Sequence, residues 1–362
     1  MANLSTPLTI KNTPLKNRVV FPAMLVCDFH IDDAKVNQEY IDHYNWLADS
    51  GVGMIIAGAV TVRPDGMMAP MQLGIWSDDF IEGLAKIPEI THKRDVPVLM
   101  LINHAGLNSV STDDPVASSD IELNGKKARA LTKAELKDIQ QCYIDAAVRA
   151  EKAGFDGIQL QCSHIYLVDT FLSSLLNTRT DEYGGSVENR VRFATEIIAG
   201  IKEKVSPNFI LSCRLPYNAT SIEDAVEMAK LLEKAGCDFF DISWGSIGMV
   251  NITEDKGPQP PEGFGHGALT YGASRVKEAV SVPVSAVYRV TSTEANSIIE
   301  DGLADLVASL RGLLVDPDWV EKAKKGKASN KCYDCRPICH WYRDRNKCPA
   351  WNKLDASKRL NV

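Results

Sequence analysis

Gln161, Ser163, His164 and Tyr166 follow directly on a short apolar run that ends at Leu160, so an amide, a hydroxyl, an imidazole and a phenol crowd into six positions. In parallel α/β proteins, side chains just past the C-terminal end of a strand are the ones that meet a ligand. This stretch therefore reads as a strand delivering a site. A second group is cationic. Arg214, Arg289 and Arg311 each stand at or just beyond the end of an apolar run. Guanidinium groups make forked, charge-assisted hydrogen bonds to anions, and the last two loops of a barrel often hold a phosphate. The third group is made of thiols: Cys332, Cys335, Cys339 and Cys348 lie within residues 332–348, while the other five cysteines are scattered singly. Such crowding favours a metal site over a disulfide framework. The close spacing suits a 4Fe-4S cluster wrapped by one loop. Four thiolates also suit zinc, for which His340 is a further candidate ligand, and unliganded thiols remain the third option.

These residues need a scaffold, and the rest of the chain supplies a repeating one. Apolar runs at residues 19–21, 54–59, 97–102, 157–160, 209–215, 239–242, 283–287 and 306–308 read as eight strands. Helical patterns lie after them, at residues 39–49, 80–93, 133–153, 187–205, 222–235, 273–280, 293–301 and 318–325. Thr132 with Glu135, and Ser186 with Asn189, stand where helix caps belong, and Gly154, Gly236 and Gly302 where helices stop. Eight strands each followed by a helix give a single α/β unit, a (β/α)8 TIM barrel. An N-terminal hairpin around Asn12-Thr13-Pro14 precedes it. A doubly wound open sheet is the runner-up, but Gly263-Phe264-Gly265-His266-Gly267 follows a proline-rich stretch and no strand, so it is no dinucleotide loop. The expected division is a barrel over residues 1–325 and a cysteine-rich tail over residues 326–362 packed on it.

The 362 residues are 45% hydrophobic and 24% charged, with a formal net charge of −7. That balance belongs to an ordinary globular protein and argues against nucleic-acid or anionic-membrane partners. No signal-peptide run opens the sequence, and no uncharged stretch is long enough to span a bilayer. A cytoplasmic protein is the expectation.

The segment HIYLVDTFLSSLLNTRTDEYGGSVENRVRF, residues 164–193, resembles the signature of the old yellow enzyme family, or NADH:flavin oxidoreductases. The likeness is to its cluster-bearing branch, which includes 2,4-dienoyl-CoA reductase and the barrel of trimethylamine dehydrogenase. Asn17-Arg18-Val19-Val20, His104-Ala105-Gly106, Arg214, and Asp305-Leu306-Val307 leading to Arg311 and Asp316-Pro317 extend the resemblance over nearly the whole chain. It implies FMN across the barrel mouth. Pro22, Ala23, Met24, Gly58 and Ala59 would border the ring system, and Arg214 would set positive charge at its pyrimidine edge. Arg289 and Arg311, with Tyr288 and Leu310 in place of loop glycines, would hold the phosphate. Leu101 and Leu107 stand where a glutamine and an arginine are usual.

The resemblance further implies catalysis by Gln161, His164 and Tyr166 in the reduction of an activated C=C bond. Gln161, in place of a histidine, and His164 would bind the substrate carbonyl. Tyr166, a phenol of free pKa about 10, would give a proton to the α-carbon. The x2, x3 spacing of Cys332, Cys335 and Cys339, with Cys348 beyond, matches the 4Fe-4S motif of those relatives. Longer relatives continue into FAD- and NAD(P)H-binding domains, and this sequence ends at Val362. The implied electron source is therefore a separate flavodoxin, ferredoxin or partner reductase. Rivals are amine oxidation of the trimethylamine dehydrogenase type and a non-catalytic ligand-binding or electron-relay barrel. The sequence identifies neither the substrate nor the oligomeric state.

Overall fold

A computed structural model describes residues 2–26, 29, 31, 33–219, 221–243, 258–287, 290–335 and 339–360. Eight parallel strands pair in sequence order and close on themselves. They are β1 (Val19–Phe21), β2 (Met54–Thr61), β3 (Val98–Asn103), β4 (Gly157–Gln161), β5 (Ile210–Pro216), β6 (Phe239–Ser243), β7 (Val284–Val287) and β8 (Leu306–Ala308). Closure is made where Val307 and Ala308 pair with Val19 and Val20. Every residue of these strands is buried. The cause is the layering: helices cover the outside and packed side chains fill the inside, so neither face meets water.

The surrounding helices are α1 (Gln38–Asp49), α2 (Ile81–His92), α3 (Lys133–Lys152), α4 (Val187–Lys202), α5 (Ile222–Ala235), α6 (Ala268–Lys277), α7 (Ala295–Glu300) and α8 (Trp319–Lys324). Thr132 and Glu135 cap α3 reciprocally, and the Ser186 side chain accepts from the Asn189 amide at the start of α4. Gly236 ends α5 at φ +119°, a backbone shape that a Cβ disfavours. Helix α6 begins five residues before the expected 273, because Leu269, Thr270, Ala273 and Val276 already bury one helical face.

At the opposite end from the strand C-termini, the hairpin Leu8–Ile10 with Thr13–Leu15 closes the barrel floor. Its Lys11 reaches Asp238 at 2.8 Å, just ahead of β6, and the Phe209 carbonyl, just ahead of β5. An excursion absent from the sequence reading follows β3: Val116–Ala117, Ile121–Leu123 and Lys126–Ala130 form a small sheet. It has its own apolar core, in which Leu107, Ala117, Ile121 and Ala128 meet Ile165 and Leu176. No helix among the described residues is long and apolar enough to cross a membrane.

The C-terminal residues join the main core. Trp341 and Trp351 are buried against each other, with ring centroids 5.8 Å apart, and against His43 and Trp46 of α1. Truncating a buried tryptophan removes both its burial and its packing, so Trp341→Ala should destabilise the protein by about 3–5 kcal/mol. Denaturant melts measure this, and a loss under about 1 kcal/mol would show that the tail is not part of the core.

Candidate functional site

Parallel register sets the site's level. Gln161 on β4 pairs with Arg214 on β5, and Arg214 pairs with Asp241 on β6, so the three stand abreast across adjacent strands. Asp241 is fully buried, and its carboxylate lies 3.1 Å from Arg214 Nη1. Burial pushes the Asp241 carboxyl up from its ordinary range, with Arg214 opposing it. Two residues on, Ser243 Oγ accepts from Arg214 Nη2 at 3.2 Å and sits 2.9 Å from His164 Nε2. Arg214 Nε and Nη1 are buried and make no hydrogen bond of good geometry, although Nη1 faces the Asp241 carboxylate as an ion pair. An unpaired buried donor is costly, so Nε points to an acceptor the arrangement is built to receive.

Beyond β4 the chain turns sharply, with His164 at φ +68° and Ile165 at φ +60°. Two left-handed non-glycine residues in succession must be held from outside. The holders are the Asp169 carboxylate, accepting from the Ile165 amide at 2.7 Å, and Asn108, donating to the Ile165 carbonyl. The small sheet packs behind Ile165. Tyr166 then caps the short helix Leu167–Leu172, with its ring edge-on to His164 at 6.4 Å. Gln161 Nε2 approaches His164 Nδ1 at 3.3 Å. Burial and the nearby Arg214 guanidinium lower the His164 pKa to about 3, so the imidazole is neutral.

The later part of the signature, from Asn177 on, braces this turn and lines no part of the cavity. Asn177 donates to the Phe171 and Tyr183 carbonyls, Arg179 grips Asp181 through two nitrogens, and Arg190 pairs with Asp224 at 2.6 Å. A Cβ at Gly184 would strike the Arg179 carbonyl.

One cavity of roughly 290 Å³ opens at the strand C-termini. It is lined by Ala23, Met24, Ala59, Leu101, Gln161, His164, Tyr166, Arg214, Leu310 and Arg311. Pro22 and Gly58 adjoin Ala23 and Ala59 but are not themselves in the lining. Asn103 and His104 are engaged elsewhere: Asn103 accepts from Gln72, and His104 Nδ1 accepts from the Gly106 amide. Arg311 lies in the first turn of the short helix Leu310–Val315 and pairs with Asp334 at 2.5 Å. Tyr288, Arg289 and the loop from 244 to 257 lie outside the described residues. Met68 and Tyr342 also line the cavity without having been picked out from sequence, since nothing near them marks a strand end. Asp241 was also not picked out, although a charged residue inside the otherwise apolar run of β6 is a signal that could have found it.

The cysteines correct the sequence reading in part. Among the described residues, no three His, Cys, Asp or Glu side chains are placed to hold a metal ion. All eight described cysteines are free. Nevertheless Cys332, Cys335, Cys339 and Cys348 line one narrow space, with a free volume of only about 10 Å³, together with Tyr333 and His340. Burial raises the Cys348 pKa, and Cys339 and Cys332 stand near enough to add to the effect. Cys339, Arg311 and Leu314 line both spaces, so the two share a wall.

A sequence profile of the family described as NADH:flavin oxidoreductase / NADH oxidase matches residues 3–330. An NADH oxidase of Thermoanaerobacter brockii is 36% identical over 353 residues, covering 93% of this chain and 53% of that protein. The chain thus spans about half the length of that relative. An NADPH dehydrogenase of Bacillus subtilis (strain 168) is 35% identical over 328 residues, covering 89% of this chain and 94% of its own. Among solved structures, a 2-naphthoyl-CoA reductase complexed with 2-naphthoyl-CoA superposes with a TM-score of 0.82 at 23% identity, over 94% of this chain and 56% of that one. Morphinone reductase superposes at 0.77 and 24% identity, over 94% and 95%. At these identities the superpositions speak to the fold.

A folded-state histidine pKa of about 3 lies below the unfolded value near 6.5, so the His164 site contributes stability above pH 6.5 that is lost as pH falls toward 3. NMR of ring-labelled histidine should show no titration of His164 between pH 5 and 8. A midpoint near 6.5 would contradict the burial and Arg214 contact inferred for it.

Proposed function

The chain belongs to the NADH:flavin oxidoreductase / NADH oxidase family, the old yellow enzymes in the broad sense, and on that premise we propose that it is an FMN-dependent ene reductase. Its substrate class is the α,β-unsaturated carbonyl compounds. One observation carries the reading: residues from distant strand ends line a single cavity, and one of them, Arg214, holds a buried Nε–H that no protein group accepts.

The lining fits FMN. Ala23, Met24 and Ala59 are small or flexible apolar groups suited to a flat ring. Arg214 supplies positive charge for its pyrimidine edge, and Asp241 keeps that charge in place. Arg311 would meet the phosphate, with Arg289 and the backbone of Tyr288 and Leu310 as further candidates. When bound and reduced, FMN supplies the electron pair that saturates the alkene. The protein's own residues do the rest. Gln161 and His164 stabilise the carbonyl oxygen as charge gathers on it. Their mutual contact of 3.3 Å is long, so it is given up at small cost. Ser243 Oγ can donate or accept, which leaves His164 partnered in either tautomer and free to present its other nitrogen. Being neutral, His164 does not compete as a strong acid, and Tyr166 is the proton donor to the α-carbon.

In this reading residues 1–325 hold the flavin, and residues 326–362 carry a 4Fe-4S cluster on Cys332, Cys335, Cys339 and Cys348, as in the cluster-bearing branch. Support comes from the four thiols lining one space that shares a wall with the larger cavity. Zinc on the same four thiolates is the alternative occupant, and the iron and zinc contents of the purified protein decide between them. A separate flavodoxin, ferredoxin or reductase would then supply electrons. The likeness to NADPH dehydrogenases favours a second reading, in which NADPH reduces the flavin directly in the same cavity.

The test is anaerobic purification with an absorption spectrum and iron and zinc assays, followed by enone reduction with dithionite or NADPH as reductant. Protein without flavin, or flavin bleached by a tertiary amine and not reoxidised by enones, would overturn the ene-reductase reading. Tyr166→Phe should keep its flavin and lose about 10²- to 10⁴-fold in the rate of alkene reduction. Single-turnover reoxidation by an enone measures this, and a rate equal to the wild type's would remove Tyr166 from the mechanism.

A further inference from the structure

Charge is divided unevenly along the chain. Residues 326–362 carry nine Lys and Arg against three Asp and no Glu, a formal charge of +6, while residues 1–325 carry 31 Lys and Arg against 44 Asp and Glu, a charge of −13. Some of the tail's excess is used internally: Lys358 pairs with Asp318, Lys347 with Asp344, and Arg345 is buried. Lys327, Lys331, Arg343 and Lys353 are exposed and in no ion pair among the described residues.

The positions of these cations matter. Lys331 precedes Cys332, Lys347 precedes Cys348, and the Lys353 ammonium lies 4.9 Å from the centre of the Tyr333 ring and bonds its hydroxyl. Tyr333 lines the thiol space and is 48% exposed, one of three large hydrophobic residues so exposed among those described. Asp334, the acidic residue nearest it in sequence, is engaged with Arg311. The thiol space therefore opens beside an exposed aromatic ring that Lys353 overlies, on a basic segment in which Lys331 and Arg343 are exposed and in no ion pair among the described residues.

We propose that this face docks an acidic, soluble one-electron carrier protein, anchored on Tyr333 and oriented by Lys331, Lys353 and Arg343. The proposal rests on the reading of residues 332–348 as an electron-relay site. An acidic carrier is repelled by the barrel's net negative charge and drawn to the tail, so the encounter is steered to one orientation. Exposed tyrosine beside cations is the residue pattern of an interface anchor. An extended polyanion, whether a membrane or a nucleic acid, would also lie across the acidic barrel, whereas a compact carrier touches only the basic face. Each encounter oxidises one carrier by one electron. Two encounters and two protons from solvent supply what one saturated C=C bond consumes.

The experiment uses the full chain purified anaerobically with its bound groups, and titrates it calorimetrically with a flavodoxin and with a ferredoxin as acidic probes. Binding of one carrier should weaken about tenfold or more between 50 and 300 mM salt. The Lys331→Glu/Lys353→Glu protein should bind at least tenfold more weakly, and Lys204→Glu, on the far end of the barrel, should bind as the wild type does. Absence of binding to both carriers, binding indifferent to salt and to the double reversal, or preferential binding to phosphatidylserine vesicles or duplex DNA would each overturn the proposal. Dithionite-driven enone reduction, run in parallel, judges the enzymatic reading separately. It should be equal in wild type and double variant, and its absence in both would sink the ene-reductase reading while leaving the binding result to stand.

Discussion

The buried pair of Arg214 and Asp241 is the interaction around which the barrel mouth is built. Strand register brings Gln161, Arg214 and Asp241 level across three adjacent parallel strands of the barrel. A guanidinium beneath an apolar cavity cannot be kept without a counter-charge, and removing one member of such a pair costs about 3–5 kcal/mol. Asp241 lies against Nη1 as an ion pair, Ser243 accepts from Nη2, and Nε makes no hydrogen bond within the protein. The same Ser243 hydroxyl sits against His164, so charge and imidazole are positioned by one small network.

The second constraint is the turn that carries His164 and Tyr166. Its left-handed residues do not hold themselves, and much of the chain's unusual sequence works to hold them. Asp169 and Asn108 bond the backbone of Ile165, the small sheet packs behind its side chain, and the Asn177, Arg179 and Arg190 bonds fix the segment that follows. Asp169 is itself buried, with its pKa raised to about 7, the mark of a carboxyl retained for a bond despite its desolvation. The signature thus has two parts: its start carries His164 and Tyr166 into the cavity, and the part from Asn177 on braces that short segment.

The barrel was legible because strands buried on both faces spell continuous apolar runs; all eight lie where those runs lie, with ends shifted by a residue or two. The lining residues Ala23, Met24, Ala59, Gln161, His164, Tyr166, Arg214 and Arg311 were legible because they stand at strand ends. The excursion after β3 was not. Its strands are two to five residues long, and the longest reads Lys-Lys-Ala-Arg-Ala, with no apolar alternation to betray it. The Asp169 bond to Ile165 was hidden because it depends on a backbone shape that the residue types do not announce. The basic tail was hidden by averaging: a whole-chain charge of −7 conceals a segment of opposite sign.

The central claim is that Arg214, held by Asp241, makes the rim cavity a flavin site. Titration of flavin-stripped protein with FMN, followed by quenching of flavin fluorescence, tests it most directly. The account predicts one equivalent bound by the wild type and binding weaker by about 10- to 100-fold in Arg214→Met, the loss of a charge-assisted contact worth about 1.5–3 kcal/mol. Wild-type protein that binds no FMN, or an Arg214→Met protein that binds it equally well, would contradict the account.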